Sequence, residues 1–292
     1  MTIYLPPPSV EELQTFMVAV EEIRSSIPRN EWEEFCRKDV SMAEWRHFLC
    51  DDPYTRHGLL KPRGYPGDAR LMDYAYRHQS IHPNITRATE AGRQIYEVTY
   101  GAAQSRSARD RTKLVSDVMK RMLDQNEQIR VASFASGHAR EIEELGSDAN
   151  RVCEFIAIDS DKRSLDEIAS SYKQYVNISS VNRSVFRFRP QEIGHVDIAY
   201  SMGLFDYLNQ DAAIRIVQMM GETVTAGGNL LIGNLAEGAA NLGYCESMMD
   251  WWMIPRTEDE MENLASVLRS KGWQANVIQM GCFRYLLGTA PT

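Results

Sequence analysis

The chain has 292 residues, enough for one large elaborated domain or two domains with a real buried core. Its 43% hydrophobic and 25% charged content is that of an ordinary globular protein and excludes a fibrous or disordered chain. A formal net charge of -8 argues against recruitment by the phosphate backbone of nucleic acid, and no stretch approaches the ~18 apolar residues of a membrane span.

The start, MTIYLPPPSVEEL, has neither the basic nor the apolar region of a signal peptide, so the expectation is a cytoplasmic protein. After the prolines, Ser9 followed by Glu11 and Glu12 has the pattern of a helix N-cap with an acidic first turn, predicting a helix over about 9–25. Apolar residues recur at helical spacing near 29–50, 68–80 and 84–104, the last with Ile85, Ala88, Ala91, Ile95 and Val98 on one stripe. Residues 1–107 therefore read as a mainly helical N-terminal domain. Between its helices lies KPRGYPGD, Lys61 to Asp68, whose prolines and glycines forbid a regular helix or a central strand and predict a shaped loop. The basic run Arg106, Arg109, Arg111 and Lys113 reads as a solvated helix face.

From residue 108 to 292 short apolar runs alternate with amphipathic segments. Residues 129–134, 155–158, 196–201 and 228–232 read as buried strands, and 109–124, 161–173, 209–224 and 258–271 as helices, the alternation of a parallel α/β sheet. The closing stretches 273–277 and 283–287 predict an antiparallel pair at one edge, joined by a turn at 279–281. Five scattered cysteines, Cys36, Cys50, Cys153, Cys245 and Cys282, lack zinc or disulfide spacing and predict reduced thiols; His57, His78 and His82 lack metal-ligand partners, and no metal is expected.

The segment IRVASFASGHAREIEEL passes from an apolar strand through Ala135, Ser136 and Gly137 into a helix expected to begin near Ala139. In a doubly wound sheet such a junction lies where ligands bind, its small residues admit close approach, and the amides at a helix start favour an anionic group. The next strand ends at Asp159, about 20 residues on, where an acidic residue takes ribose hydroxyls. Only Gly137 remains of a dinucleotide GxGxxG pattern. The junction is compatible with a nucleoside-type ligand and equally with a purely structural turn.

Five stretches together, KPRGYPGD, FASGHAREIEEL, AIDSD, YSMGLFDYL and IGNLAEG…MMDWWMIPRTEDEM, resemble a bacterial family of class I S-adenosylmethionine-dependent methyltransferases that includes the enzymes of extracellular-factor, or 3-hydroxy fatty-acid methyl ester, biosynthesis. The likeness runs from about residue 55 onward. It implies a Rossmann-like sheet with an N-terminal helical lid, S-adenosylmethionine as cofactor and a small-molecule substrate in secondary or signalling metabolism; a homodimer through the helical domain is compatible with the sequence but not shown by it. Mapped by that resemblance, Ser133, Ala135, Ser136 and Gly137 surround the methionine moiety. Asp159 takes the ribose with Ser160 beside it, Ser184 and Val185 flank the adenine, and Tyr200, Ser201 and Met202 line the sulfonium and the acceptor.

Transfer from a sulfonium is an in-line displacement with a neutral leaving group, so positioning does much of the work. A carboxylate acceptor is already ionised, whereas an amine or hydroxyl needs a base within hydrogen-bond reach, for which Tyr65, Glu246 and Asp250 are candidates. Arg63 and Arg256 each carry a fork suited to holding a carboxylate, His138 stands in the cofactor turn, and Tyr65, Tyr74, Tyr76, Tyr244, Trp251 and Trp252 form an aromatic group able to face a cation. A second enzymatic reading stays open: a cyclase of the azetidine-2-carboxylate synthase type, releasing methylthioadenosine. So does a non-catalytic S-adenosylmethionine-binding module.

Overall fold

The computed structural model describes residues 5–292; the first four residues of the start that reads as leaderless lie outside them. Helices come first: α1 (Leu13–Ser26), α2 (Arg29–Lys38), α3 (Val40–Leu49), α4 (Pro53–Leu60), α5 (Ala69–Tyr76), α6 (His82–Thr86), α7 (Glu90–Gly101) and α8 (Ala103–Leu123). They are followed by β1 (Ile129–Phe134), β2 (Val152–Asp159), α9 (Lys162–Tyr172), β3 (Ile178–Asn182), β4 (Val196–Ser201), α10 (Gln210–Gly221) and β5 (Val224–Leu235). The chain ends with α11 (Leu242–Met248), α12 (Glu258–Arg269), β6 (Gln274–Met280) and β7 (Phe283–Thr289).

The chain divides into two compact units. One runs through Arg109 and takes in Ala239–Met253; the other comprises Asp110–Gly238 and Ile254–Thr292. In the first unit side-chain caps set the helix boundaries. Ser9 accepts the Glu12 amide at 3.2 Å, so the expected cap forms and the helix proper begins one turn later. The segment 29–50 is two helices, because Asp39 takes an extended conformation and its carboxylate caps α3 through the amides of Ser41 and Met42. Asp52 caps α4, a helix that the sequence reading lacked, with Pro53 at the first helical position. The core of this unit stacks Phe16 on Trp45 with centroids 4.0 Å apart, and the Trp45 indole donates to the Pro6 carbonyl at 2.8 Å, anchoring the proline-rich start.

The second unit is built on one sheet of order β3-β2-β1-β4-β5-β7-β6. β1 to β5 are parallel, and β7 runs antiparallel to both β5 and β6. This is a Rossmann-like, doubly wound parallel sheet with an antiparallel edge. Apolar clusters cover both faces: Phe134, Phe188, Ile232 and Leu264 on one side, Val131, Phe155, Leu165 and Ile198 on the other. Burial on both faces is what makes the parallel strands continuous apolar runs. The sequence reading lacked β3, a serine-rich, half-buried edge strand without such a run.

Two expectations need correction. The segment after β1 is not a regular helix but consecutive 3₁₀ turns over Arg140–Arg151, broken at Gly146 (φ 57°). Gly146, Asp148 and Asn150 all favour turns over helix interior, which explains the difference. The basic run is a solvated face only in part: Arg106 and Lys113 are exposed, but Arg111 is buried and donates to the Met202 carbonyl, and Arg109 donates to the carbonyls of Ala75 and Tyr100. Among the described residues no helix is long and apolar enough to cross a membrane.

Candidate functional site

The order of the sheet puts β1 beside β4, where the direction of winding reverses, and ligands of open α/β sheets bind outside the carboxyl ends of the strands at that point. The loop leaving β1 there has an unusual backbone. Ala135 (φ 53°), Gly137 (φ 55°) and Ala139 (φ 49°) are all left-handed, at alternate positions, although two of them are alanine. An L-residue held there costs about 1–2 kcal/mol, so the surroundings must enforce the shape. They do: the Ser136 amide donates to the Ile158 carbonyl at 3.2 Å, the Gly137 amide to Asp159 Oδ2 at 2.9 Å, and the Ala139 amide to the Ser136 carbonyl at 3.0 Å.

Asp159 is the hinge of this arrangement. It is 9% exposed, and its second oxygen accepts the Asp161 amide at 2.8 Å. Burial raises its pKa above the ordinary aspartate value, against the opposing effect of the amides of Asp161 and Gly137. Each carboxylate oxygen offers about two acceptor sites and has one filled by an amide. Asn182, which the sequence reading missed, clamps the turn after β2 by donating to the carbonyls of Asp159 and Ser160 at 3.0 and 3.1 Å. Ser136 Oγ is buried with no hydrogen-bond partner among the described residues.

The end of β4 is equally fixed. Ser201 Oγ donates to the Phe134 carbonyl at 2.7 Å and joins β4 to β1, while Ser133 lies in register between Ala157 and Tyr200. The buried Tyr200 hydroxyl donates to Glu141, whose carboxyl is held above the ordinary glutamate range by burial, moderated by that hydroxyl and by Arg111 and Arg140. Met202 is half-buried, held through its carbonyl by Arg111. Its Sδ would lie 3.1 Å from a Cβ placed on Gly233, a tight approach that the Met202 side chain would have to relax by a few tenths of an ångström. Val185 is in the core near the edge-to-face pair Phe134 and Phe188, and Ser184 begins the short 3₁₀ turn beside it. The residues assigned to the cofactor thus gather at the carboxyl ends of β1, β2 and β4 and the turn after β3. His138 is buried, within 3.3 Å of Arg140.

Asp206, beyond β4, also escaped the sequence reading. It is buried, accepts the Leu235 amide at 2.6 Å, and desolvation lifts its pKa to about 6 despite Arg111 and Arg256. Arg256 is 1% exposed and donates to Gln210, Asn234 and the carbonyls of Phe205 and Leu208. Its fork is spent on joining the loop after β4 to the end of β5. That corrects its reading as a substrate clamp.

The remaining candidates belong to the first unit. Glu246 is a correction: it is buried on α11, where it accepts from Arg24 Nε at 2.6 Å, Arg24 Nη2 at 3.1 Å and Trp32 Nε1 at 2.8 Å. Those bonds make it a structural anchor in place of a base. Asp250 pairs with Lys61 and accepts the Trp252 indole at 2.7 Å. Arg63 and Tyr65 lie in the expected loop, shaped by left-handed Lys61, Gly64 and Gly67; Tyr65 is 38% exposed. Asp68 closes that loop by capping α5 and pairing with His57. Burial works to raise its pKa, but the His57 bond, the Leu71 amide and Arg63 outweigh it and hold the carboxyl low. Among the described residues no group of three His, Cys, Asp or Glu side chains has metal-binding geometry.

The sequence matches no family model and no curated protein. It is similar to several solved structures. A possible exported protein from Bordetella parapertussis superposes with a TM-score of 0.65 at 17% identity over 98% of both chains, which establishes a common fold. An O-methyltransferase family protein from Burkholderia thailandensis gives a TM-score of 0.49 at 12% identity, over 96% of this chain and 84% of that one. The N-methyltransferase NodS from Bradyrhizobium japonicum gives 0.45 at 13%, over 63% and 96%.

Proposed function

We propose that this protein is a cytoplasmic S-adenosylmethionine-dependent methyltransferase whose substrate is a small carboxylate of secondary or signalling metabolism. The observation that carries the reading is Asp159 at the carboxyl end of β2 in a methyltransferase-type sheet, each oxygen fixed by one amide and keeping one acceptor site. Two adjacent acceptors held rigidly suit the vicinal hydroxyls of a ribose. The buried, unpartnered Ser136 hydroxyl beside them suits a polar ligand group, and the small Ala135 and Gly137 leave the backbone open to it.

The same loop disfavours a dinucleotide. A pyrophosphate is held by the amides and dipole of a helix N-terminus, whereas here the loop enters broken 3₁₀ turns that carry Glu141, Glu143 and Glu144. A nucleoside without phosphate suits that setting better. S-adenosylmethionine supplies an activated methyl group when bound. Ser133, Asp159, Ser160, Ser184 and Val185 would hold it, while the bonds at Tyr200, Ser201 and Met202 keep the end of β4 from moving. A carboxylate acceptor is preferred because it needs no base, and two of the three candidate bases, Glu246 and Asp250, are engaged by cations and indoles. The roles given to Arg63 and Tyr65 are tested by Arg63→Lys and Tyr65→Phe in the assay below.

The test is to incubate the purified chain with S-adenosylmethionine, with and without a metabolite extract, and to identify the adenosyl product by mass spectrometry. S-adenosylhomocysteine formed only with extract supports methyl transfer, and Asp159→Ala should weaken S-adenosylmethionine binding by about tenfold or more. Methylthioadenosine formed without any acceptor, or binding with no product at all, would overturn the reading.

A further inference from the structure

We propose that the first unit carries a separate binding site for a small organic carboxylate, in an open surface pocket of about 380 Å3 formed by α4, the following loop, α5 and the α6 region, with Arg56, Leu60, Asn84 and Arg87 exposed at its rim. That volume is in the range of small-molecule sites. Its walls are apolar at Pro53, Leu60 and Pro62, and the rest of the lining is dominated by hydrogen-bond donors.

The donors are specific. Arg56 is braced by its Nε, which donates to the Cys50 carbonyl at 2.6 Å, and its two terminal amino groups bond no described residue. Arg87 bonds none through its guanidinium, and among the described residues neither arginine is within ion-pair distance of a carboxylate. Tyr74 is buried at 1% exposure; its oxygen accepts from Asn84 Nδ2 at 2.7 Å, which leaves the phenolic proton without an acceptor among the described residues. His57 stands rigid between these groups, its Nε2 2.9 and 3.0 Å from the two oxygens of Asp68. The one acidic group in the lining, Asp51, already accepts the Thr89 hydroxyl at 3.1 Å.

Two guanidinium forks and a buried phenol around one apolar-walled pocket, against a single carboxylate, select an anion with an apolar body. The planar fork matches a carboxylate through paired N–H donors. The site gives the KPRGYPGD loop a task of its own: Pro62 lines the pocket and Asp68 orients His57. It involves none of the residues assigned to the cofactor, so it stands or falls independently of the methyltransferase reading.

Isothermal titration of the full chain with benzoate, and with benzyl alcohol as the neutral analogue, tests it. The expected result is saturable 1:1 binding of benzoate, with the alcohol about tenfold weaker or absent. Arg56→Gln and Arg87→Gln should each weaken benzoate by about fivefold or more while S-adenosylmethionine binding stays unchanged. Crystals soaked in 4-bromobenzoate should show bromine in this pocket. No saturable benzoate binding, equal affinity for the alcohol, unchanged affinity in both arginine variants, or bromine located elsewhere would each overturn the proposal.

Discussion

Ala135 and Asp159 show how a residue can be legible in kind and illegible in conformation. The acid at the end of β2 follows from strand length and from its distance to the preceding turn, and the structure joins it to Gly137. The left-handed backbone at Ala135 and Ala139 does not follow, because a pattern search looks for glycine whereas the fold only demands positive φ. Ala135 is half-buried and its strain is local, so Ala135→Gly relieves about 1–2 kcal/mol in the folded state and returns about 0.5–1 kcal/mol to the greater freedom of the unfolded chain. The expected outcome in urea unfolding is a net gain of about 0.5–1 kcal/mol. Ala135→Val adds a β-branched side chain where φ is positive and should lose more than about 1 kcal/mol. A glycine variant less stable than the parent would show that the loop is held by something other than these three amides.

At the scale of elements, the long periodic segments were readable and their interruptions were not. β1, β2, β4, β5 and the closing hairpin carry apolar runs or alternation strong enough to place. The break at Asp39 and the 3₁₀ segment after β1 depend on which backbone groups a short polar side chain captures, a choice made by the surroundings. The junction of β4 with β5 is the clearest case, for Asp206 and Arg256 are 50 residues apart in sequence and share one buried polar cluster with Asn234. Because the folded-state pKa of Asp206, about 6, lies above its ordinary 3.8, the folded protein binds the proton more tightly than the unfolded chain does. Its contribution is therefore fully present below about pH 4 and is lost as pH rises through 6, a loss of about 3 kcal/mol. Asp206→Asn keeps the acceptor for the Leu235 amide and removes the titration. The difference in unfolding free energy between variant and parent should shift in the variant's favour from pH 4 to pH 7, by about 3 kcal/mol at most; a difference independent of pH would refute the buried titration.

At the scale of the whole chain, the first unit is discontinuous in sequence. Residues 239–253 pack with helices formed by the first hundred residues, although the bonds that hold them span 222 positions. Every residue of α11 is buried, and a Cβ on Gly243 would come within 2.9 Å of the Val20 carbonyl oxygen on α1, so these helices touch through bare backbone. Arg24 and Trp32 direct their polar groups at Glu246, and without α11 both lose that acceptor together with the cover that the helix provides. No local pattern announces this: the segment lies between the strand expected over 228–232 and the helix expected over 258–271. A fragment covering residues 5–109 alone should therefore fail to melt cooperatively by circular dichroism. The Ala103 amide donates to Asn241 Oδ1 at 3.2 Å, which puts the start of α8 next to the start of α11, within reach of a flexible linker of about eight residues. Joining residues 239–253 to the fragment through such a linker should restore a cooperative transition, and Glu246→Ala in that joined chain should remove it again. If the shorter fragment melted cooperatively unaided, the return of the chain after β5 would be an accessory to the helical unit instead of part of its core.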